Sequence, residues 1–270
     1  MSQFEAAALG ALAGLTIFIG LPVARLRGLS KPTQGLLNAL ATGILVFLLW
    51  DILAHAAAPV DSALQRAHQQ GLGGFALLAA IFAIGVGAGL LVLVYSNAWL
   101  LRWARRDESG AGATAPTAPA PQTLAMMIAT GLGLHNFSEG LAIGQSAASG
   151  AIAFAGVLVV GFALHNITEG FGIAAPMSMS PAPVPWRVIG LTGLIGGGPT
   201  FLGTMLGYVV KSEPVYVLFL AVAAGALLYV LNELFAVCRR LASPRVVAWG
   251  VLIGLLAAYA TDLFLTYAGS

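Results

Sequence analysis

The chain has 270 residues, of which 59% are hydrophobic and only 8% are charged. Soluble domains carry about 25% charged residues, so this composition indicates an integral membrane protein with one transmembrane domain over residues 1–270. The single cysteine, Cys238, excludes an intrachain disulfide and any cysteine cluster for zinc or iron–sulfur, and the net charge of +2 by itself indicates no partner.

Eight apolar segments have about the length of a helix that crosses a bilayer. We therefore predict an all-α integral membrane protein with eight transmembrane helices, numbered here as segments one to eight. In chain order they run approximately over Phe4–Ala24, Gly35–Ala58, Leu72–Trp103, Leu124–Ala148, Ala151–Ala175, Val188–Val210, Val215–Cys238 and Val246–Tyr267.

Lysine and arginine are concentrated in the connections that follow segments one, three, five and seven. By the positive-inside rule these connections are cytoplasmic and both termini lie outside. The connection at about residues 104–122 is rich in Ala, Pro, Thr and Gly, which predicts a flexible cytoplasmic linker. The odd-numbered connections hold ten of the twelve basic residues: Arg25, Arg27, Lys31, Arg102, Arg105, Arg106, Arg187, Arg239, Arg240 and Arg245.

Segment two carries Asp51 and His55 near its outer end, four residues apart. On a helix this spacing places both side chains on one face, so they are candidates for an entrance pair that receives a cation. The alternative is that they are helix-end residues that reach water. Asp262 is a weaker candidate of the same kind, since it lies only a few residues from the end of segment eight, and it is assigned no site.

Segments four and five contain nearly the same six residues twice, HNFSEG at 135–140 and HNITEG at 165–170. His135 and Glu139 are four residues apart, as are His165 and Glu169, so each pair lies on one helix face. Ionisable groups inside a membrane are functional candidates. The short connection at Ser149–Gly150 predicts an antiparallel hairpin, with both histidines near mid-bilayer, Glu139 toward the outside and Glu169 toward the cytoplasm.

Two imidazoles and two carboxylates without thiolates suit a divalent first-row cation such as Zn²⁺, Fe²⁺, Mn²⁺ or Co²⁺. The two glutamates neutralise the charge of a dication, which lowers the cost of holding it away from water. Asn136 and Asn166 could add carbonyl oxygens or orient a ligand.

The two motifs resemble those of the ZIP (Zrt/Irt-like protein) family of divalent-metal transporters in its bacterial form. That family carries His-Asn-x-Pro-Glu-Gly motifs on its fourth and fifth helices, and it also has eight helices and a variable connection after the third. The resemblance implies metal ligation by His135, Glu139, His165 and Glu169, with Asn136 and Asn166 alongside. It further implies location in the bacterial inner membrane, uptake into the cytoplasm and an elevator-like, alternating-access movement.

Three other positions bear on the resemblance. Ser138 and Thr168 stand where many relatives have proline, so a hydroxyl bonded to the preceding turn could bend the helix instead. Gly198, before Pro199, stands where relatives often have a glutamate, so we expect one principal metal site. Glu233 resembles the acidic motif of the family's seventh helix and is a candidate for the cytoplasmic exit.

The predicted function is transport of a divalent transition-metal cation, with zinc first and iron, manganese, cobalt and cadmium as alternatives. The metal is then the transported substrate, and no permanent cofactor is expected. Helices one to three and six to eight would be inverted repeats around the central hairpin. The expected partners are divalent metal ions and the lipid bilayer; a homodimer is left open and nucleic acid is not expected. Two rival functions are a membrane-embedded zinc hydrolase, although no HExxH motif occurs, and a proton-coupled transporter of an organic substrate.

Overall fold

The computed structural model describes residues 1–26, 30–108, 121–180, 182–210 and 212–269. Within these ranges the regular elements are helices. They are α1 (Gln3–Leu15), α2 (Ile17–Gly20), a 3₁₀ turn (Leu21–Arg25), α3 (Lys31–Gln70), α4 (Gly73–Glu108), α5 (Pro121–Ala148), α6 (Ile152–Met177), α7 (Trp186–Val209), α8 (Glu213–Leu241) and α9 (Pro244–Gly269).

Each predicted segment corresponds to helical structure, but three boundaries differ. Segment one is broken at Thr16 into α1, α2 and the 3₁₀ turn. Helix α3 continues through Pro59 to Gln70, beyond the predicted end of segment two. The predicted linker at residues 104–122 is helical at both ends, since α4 extends to Glu108 and α5 begins at Pro121; residues 109–120 lie outside the described part of the chain.

Seven helical spans within the described residues are long and apolar enough to cross a membrane. They correspond to every predicted segment except the fourth, which is helix α5. This helix has 28 residues, but it contains His135, Asn136, Glu139 and Gln145, which lower its mean hydropathy. The segment that carries the first motif is therefore distinguished from the others by composition and not by length.

Helices α5 and α6 form the predicted antiparallel hairpin. The turn between them contains Gly150, whose φ of +85° is a left-handed conformation that glycine adopts at little cost. Because the two motifs are thirty residues apart across this turn, the hairpin brings one beside the other in the middle of the molecule. All six histidine, asparagine and glutamate side chains of the motifs are buried.

The helices pack in two groups. The motif bundle consists of α1, α2, α5, α6 and α7, and the companion bundle consists of α3, α4, α8 and α9. Within each bundle, helices approach closely enough for glycines to contact the backbone of the neighbouring helix, as small residues allow in membrane proteins. Gly140 contacts the Thr200 carbonyl in the motif bundle, and Gly89 contacts the Val222 carbonyl in the companion bundle.

Contacts between the two bundles involve side chains. A Cβ on Gly131 of α5 would meet the side chain of Val230 on α8, and a Cβ on Gly172 of α6 would lie 3.7 Å or more from the side chains of Leu234 and Ala41 in the companion bundle. The rings of Phe137 on α5 and Phe219 on α8 have centroids 4.8 Å apart. These contacts between the bundles are therefore mostly between apolar side chains, whereas the interior of each bundle contains close backbone contacts.

Candidate metal site

A cavity of about 420 Å³ lies between the two bundles and reaches the paired motifs. His135, Glu139 and His165 line its wall from the motif bundle. Asp51 and His55 line it from α3 in the companion bundle. The structure thus brings two separate predicted groups, the motif residues and the entrance pair, into one cavity.

His135 contacts both glutamates of the motifs. Its Nε2 lies 3.3 Å from Glu139 Oε1 on its own helix and 3.5 Å from Glu169 Oε1 on the neighbouring helix. The two carboxylates, predicted at different depths, therefore meet at one imidazole nitrogen. The predicted separation of the two carboxylates in depth is therefore not observed; Glu139 lines the cavity, and Glu169 is buried beside it.

These separations suit donor atoms around a small cation. In a tetrahedral zinc site with bonds of about 2.0–2.1 Å, neighbouring ligand atoms are about 3.3–3.4 Å apart. The two distances from His135 Nε2, 3.3 and 3.5 Å, are close to this value. The site is not closed, however: in the part of the chain that the structure describes, no three or more His, Cys, Asp or Glu side chains are arranged to hold a metal ion as they stand.

The motif residues also account for most of the unpaired buried polar atoms. Among the described residues, ten buried side-chain nitrogen and oxygen atoms have no hydrogen-bond partner, and eight of these belong to the two motifs. They include both ring nitrogens of His135 and of His165 and both carboxylate oxygens of Glu139. Leaving a buried polar group unpaired is costly, so the concentration of such atoms here indicates a place where a polar ligand is bound.

Asn136 and Asn166 form a hydrogen-bond chain behind the carboxylate of Glu169. Asn136 Nδ2 donates to Glu169 Oε2 at 2.8 Å, to Asn166 Oδ1 at 2.7 Å and to the Gly196 carbonyl at 3.0 Å. Asn166 Nδ2 donates to the Ala13 carbonyl at 3.1 Å. Three acceptors surround Asn136 Nδ2, which fixes the orientation of this amide because a flipped oxygen would face only other oxygens.

Ser138 and Thr168 bond back to the preceding turn. Each hydroxyl donates at 2.6 Å to the carbonyl three residues earlier, Ser138 to His135 and Thr168 to His165. Each hydroxyl thus has a hydrogen-bond partner within its own helix, as serine and threonine often do in membrane helices. Both helices continue through the motifs without interruption.

The entrance pair lies on an accessible part of the cavity wall. His55 Nδ1 is 2.9 Å from the Asp51 backbone carbonyl and 3.3 Å from Asp51 Oδ1. The His55 side chain is 61% exposed and that of Asp51 is 33% exposed. If Nδ1 carries the proton shared with Asp51, Nε2 retains the lone pair that a metal ion requires.

Asp262 on α9 also lines the cavity, together with Thr266. The sequence does not predict Asp262 as a pathway residue, because it lies only a few residues from the end of segment eight. Its place on the cavity wall depends on the packing of α9 against α3. No signal in the sequence joins residues 51 and 262.

Two other predicted positions lie away from the motif cluster. Glu233 is half-buried on α8 and is not among the described residues that line the cavity. Gly198 on α7 has only the Leu194 side chain within 4 Å of the place where a Cβ would be. The nearby contribution of α7 to the motif residues is instead the backbone carbonyl of Gly196, which sequence reasoning did not identify.

Residues 106–256 of the chain match the protein family described as ZIP Zinc transporter. The match covers more than half of the chain and includes both motifs, Gly198 and Glu233. Asp51, His55 and Asp262 lie outside the matched residues. No curated protein matches the chain.

Proposed function

Because the chain belongs to the ZIP zinc transporter family, which carries divalent metal cations, we propose that it moves a divalent transition-metal cation through the site formed by its two motifs. Zinc is the first candidate, since imidazole and carboxylate donors suit it well. Iron, manganese, cobalt and cadmium are alternatives that this donor set also accepts. The metal is the cargo, and no permanent cofactor is proposed.

The observation that supports this proposal most directly is the convergence of Glu139 and Glu169 on Nε2 of His135. His165 lines the same cavity and has two unpaired ring nitrogens. Two neutral imidazoles and two carboxylates together carry the charge that balances a dication. We therefore assign metal ligation to His135, Glu139, His165 and Glu169.

A metal completes the site by drawing these donors together. His165 has no close contact to the other three in the arrangement described, so its imidazole moves toward them when the cation arrives. The cavity leaves room for that movement. Since Gly198 supplies no side chain, the proposal is for one principal metal per chain.

Asp51, His55 and Asp262 form the proposed entrance. Their carboxylates and imidazole line the accessible part of the cavity, where negative charge raises the local concentration of cations. Glu233, near the other end of α8 from Glu213, is proposed as an exit residue. The cation then passes from the entrance to the exit through the motif residues.

The proposed membrane topology has eight spans, with α5 as the eighth beside the seven apolar ones. At about 1.5 Å per residue, the 28 residues of α5 reach about 42 Å, which exceeds the roughly 30 Å of the hydrocarbon core. Arg25 donates to the Val184 carbonyl at 3.0 Å and lies 4.7 Å from the Trp186 ring. This contact joins two odd-numbered connections, in keeping with their proposed common location in the cytoplasm and with termini outside the inner membrane.

The proposed mechanism is an elevator-like movement of the motif bundle against the companion bundle. Backbone contacts at glycines hold each bundle together, while apolar side chains separate the two. Such an interface is able to shift with less disruption than the tightly packed bundle interiors. We also propose that α1–α4 and α7–α9 are inverted repeats. A homodimer is part of the same proposal.

The test is uptake by the purified protein in liposomes that contain a zinc-sensitive dye. Wild-type protein should give saturable influx, and His135→Ala and Glu169→Ala should abolish it because each removes a donor. His68→Ala and Glu213→Ala are matched controls at exposed positions on α3 and α8 and should retain influx. Influx no greater than that of empty liposomes for Zn²⁺, Fe²⁺, Mn²⁺ and Cd²⁺ would contradict the proposal.

The same preparation separates the two rival functions. A membrane-embedded zinc hydrolase would cleave an ester or amide substrate without moving metal. A proton-coupled transporter of an organic substrate would change the internal pH of the liposomes when that substrate is added, without any added metal. Membership of a transporter family favours metal transport over the hydrolase.

A further inference from the structure

We propose that Asn136 is a positioning residue that holds Glu169 from behind through its amide nitrogen, within a hydrogen-bond relay anchored at the break in the first helix. This inference rests on the proposed function, because the group that it positions is a proposed metal ligand. The relay runs from the Ala13 carbonyl through Asn166 and Asn136 to Glu169. It assigns Asn136 a role as a donor instead of a metal ligand.

The break at Thr16 is the first step. There the Thr16 N–H bonds to the Ala13 carbonyl at 3.3 Å, and the Thr16 hydroxyl contacts the same carbonyl at 2.6 Å and the Ala163 carbonyl at 2.8 Å. The hydroxyl therefore fixes the broken helix to α6, one turn before the second motif. In this position the Ala13 carbonyl also accepts from Asn166.

Asn166 is the second step. Its Nδ2 is occupied by the Ala13 carbonyl, and its Oδ1 accepts from Asn136 Nδ2 at 2.7 Å. Both polar ends of this side chain thus have partners in the protein. Asn166 is fully buried and connects the backbone of the first helix to the amide on α5.

Asn136 is the third step. Its two N–H groups are shared among the oxygens of Glu169, Asn166 and Gly196. The bond to Glu169 uses Oε2, whereas the contact with His135 uses Oε1. One carboxylate oxygen is therefore held by the relay and the other is directed toward the proposed metal ligands.

This arrangement matches the general role of groups behind a metal ligand, which orient the ligand and whose loss costs about 10- to 100-fold in metal affinity. The opposite interpretation is that Asn136 ligates metal through Oδ1, which has no hydrogen-bond partner among the described residues. The donor role instead rests on the three contacts at Nδ2, one of which reaches Glu169. The geometry favours the donor role because those contacts are short and mutually consistent.

Replacing Asn136 by aspartate separates the two roles, because they predict opposite changes in metal affinity. Asn136→Asp keeps an oxygen where a ligand would be and replaces the donor with an acceptor facing Glu169. The positioning role predicts a dissociation constant for Zn²⁺ and Co²⁺ raised about 10- to 100-fold, measured by titration calorimetry in detergent. A ligand role predicts affinity equal to or higher than wild type, since a carboxylate binds a dication better than an amide does, and that result would overturn the proposal.

The coupling with Glu169 gives a second readout. If Asn136 acts through Glu169, adding Asn136→Asp to Glu169→Ala should cause no further loss of affinity, and the Co²⁺ absorption spectrum of Asn136→Asp should shift toward that of Glu169→Ala. Additive losses in the double variant would contradict the relay, because independent groups contribute additively.

Asn166→Asp and Asn232→Asp complete the design. Asn166→Asp keeps the acceptor for Asn136 but loses the donor to Ala13, so its metal affinity should also fall, while the exposed Asn232→Asp on α8 should leave affinity unchanged. Thermal unfolding without metal identifies a variant that fails to fold, and in that case the other aspartate variant decides. If wild-type protein binds no metal at all, the proposed function fails; if it binds metal and Asn136→Asp binds equally well, only the relay fails.

Discussion

His135 and Asp262 line the same cavity but differ in burial. His135 is buried and touches both glutamates of the motifs, whereas Asp262 lies on the wall near Asp51 and His55. In the proposed function, the buried His135 binds the cation directly. A charge on the accessible wall attracts the cation through water and salt, so its effect is weaker and depends on ionic strength.

Asp262→Asn is accordingly expected to raise the KM for zinc uptake with little change in the maximal rate. Coulomb's law for a dication and a unit charge about 10 Å apart in water gives roughly a 2- to 4-fold effect. The measurement is initial influx into liposomes at low and at high salt. The KM difference from wild type should shrink as salt rises; an equal loss of maximal rate at both salt concentrations would assign Asp262 to a different role.

Helix α7 is positioned by glycines that the neighbouring helices approach closely. A Cβ on Gly197 would overlap the Gly14 carbonyl of α1, whereas a Cβ on the adjacent Gly198 would meet only the Leu194 side chain, at 3.4 Å or more. Two neighbouring glycines of one helix therefore differ in whether there is room for a Cβ. Gly197 is required for the contact of two backbones, and Gly198 is not.

The matched substitutions Gly197→Ala and Gly198→Ala test this difference. Gly197→Ala is expected to lower the free energy of unfolding by about 1–3 kcal/mol, as overpacking does in well-packed interiors, because α1 and α7 must separate. Gly198→Ala should be neutral or slightly stabilising, since alanine favours a helix over glycine. Thermal unfolding in detergent measures both, and equal destabilisation by the two would refute the close contact at Gly197.

The whole molecule consists of two glycine-packed bundles that meet through apolar side chains. Phe137 and Phe219 pair across the boundary between the bundles, with ring centroids 4.8 Å apart. Phe47 and Tyr259 pair within the companion bundle, with centroids 6.0 Å apart. The two aromatic pairs offer matched places for testing whether the bundles move relative to each other.

A covalent link at the first pair is expected to stop uptake, and a link at the second is expected to preserve it. Cysteines are introduced at both members of each pair in a Cys238→Ala background, which removes the only native thiol, and are joined with a short bifunctional reagent. Influx is measured before and after reduction of the linker. Full uptake with Phe137→Cys and Phe219→Cys joined would exclude movement of the motif bundle against the companion bundle.

Much of this fold is predictable from the sequence because its signals are local. Apolar runs long enough to span a bilayer identify the helices, and the short connection at Ser149–Gly150 identifies the hairpin. The helix spacing of four residues places His135 over Glu139 and His165 over Glu169 without any knowledge of the other helices. Helix α5 is the instructive exception, since the polar residues of the first motif keep it out of the seven apolar spans found among the described residues.

The sequence by itself determined the class of protein, the helical segments and the candidate donor atoms, because composition, periodicity and spacing of four are properties of neighbouring residues. Only the tertiary structure decided that Glu139 and Glu169 meet at one nitrogen of His135, that Asp262 shares a cavity with Asp51, and that the Ala13 carbonyl supports Asn166. These contacts join residues up to about two hundred positions apart. They depend on how helix faces pack, which no local pattern specifies.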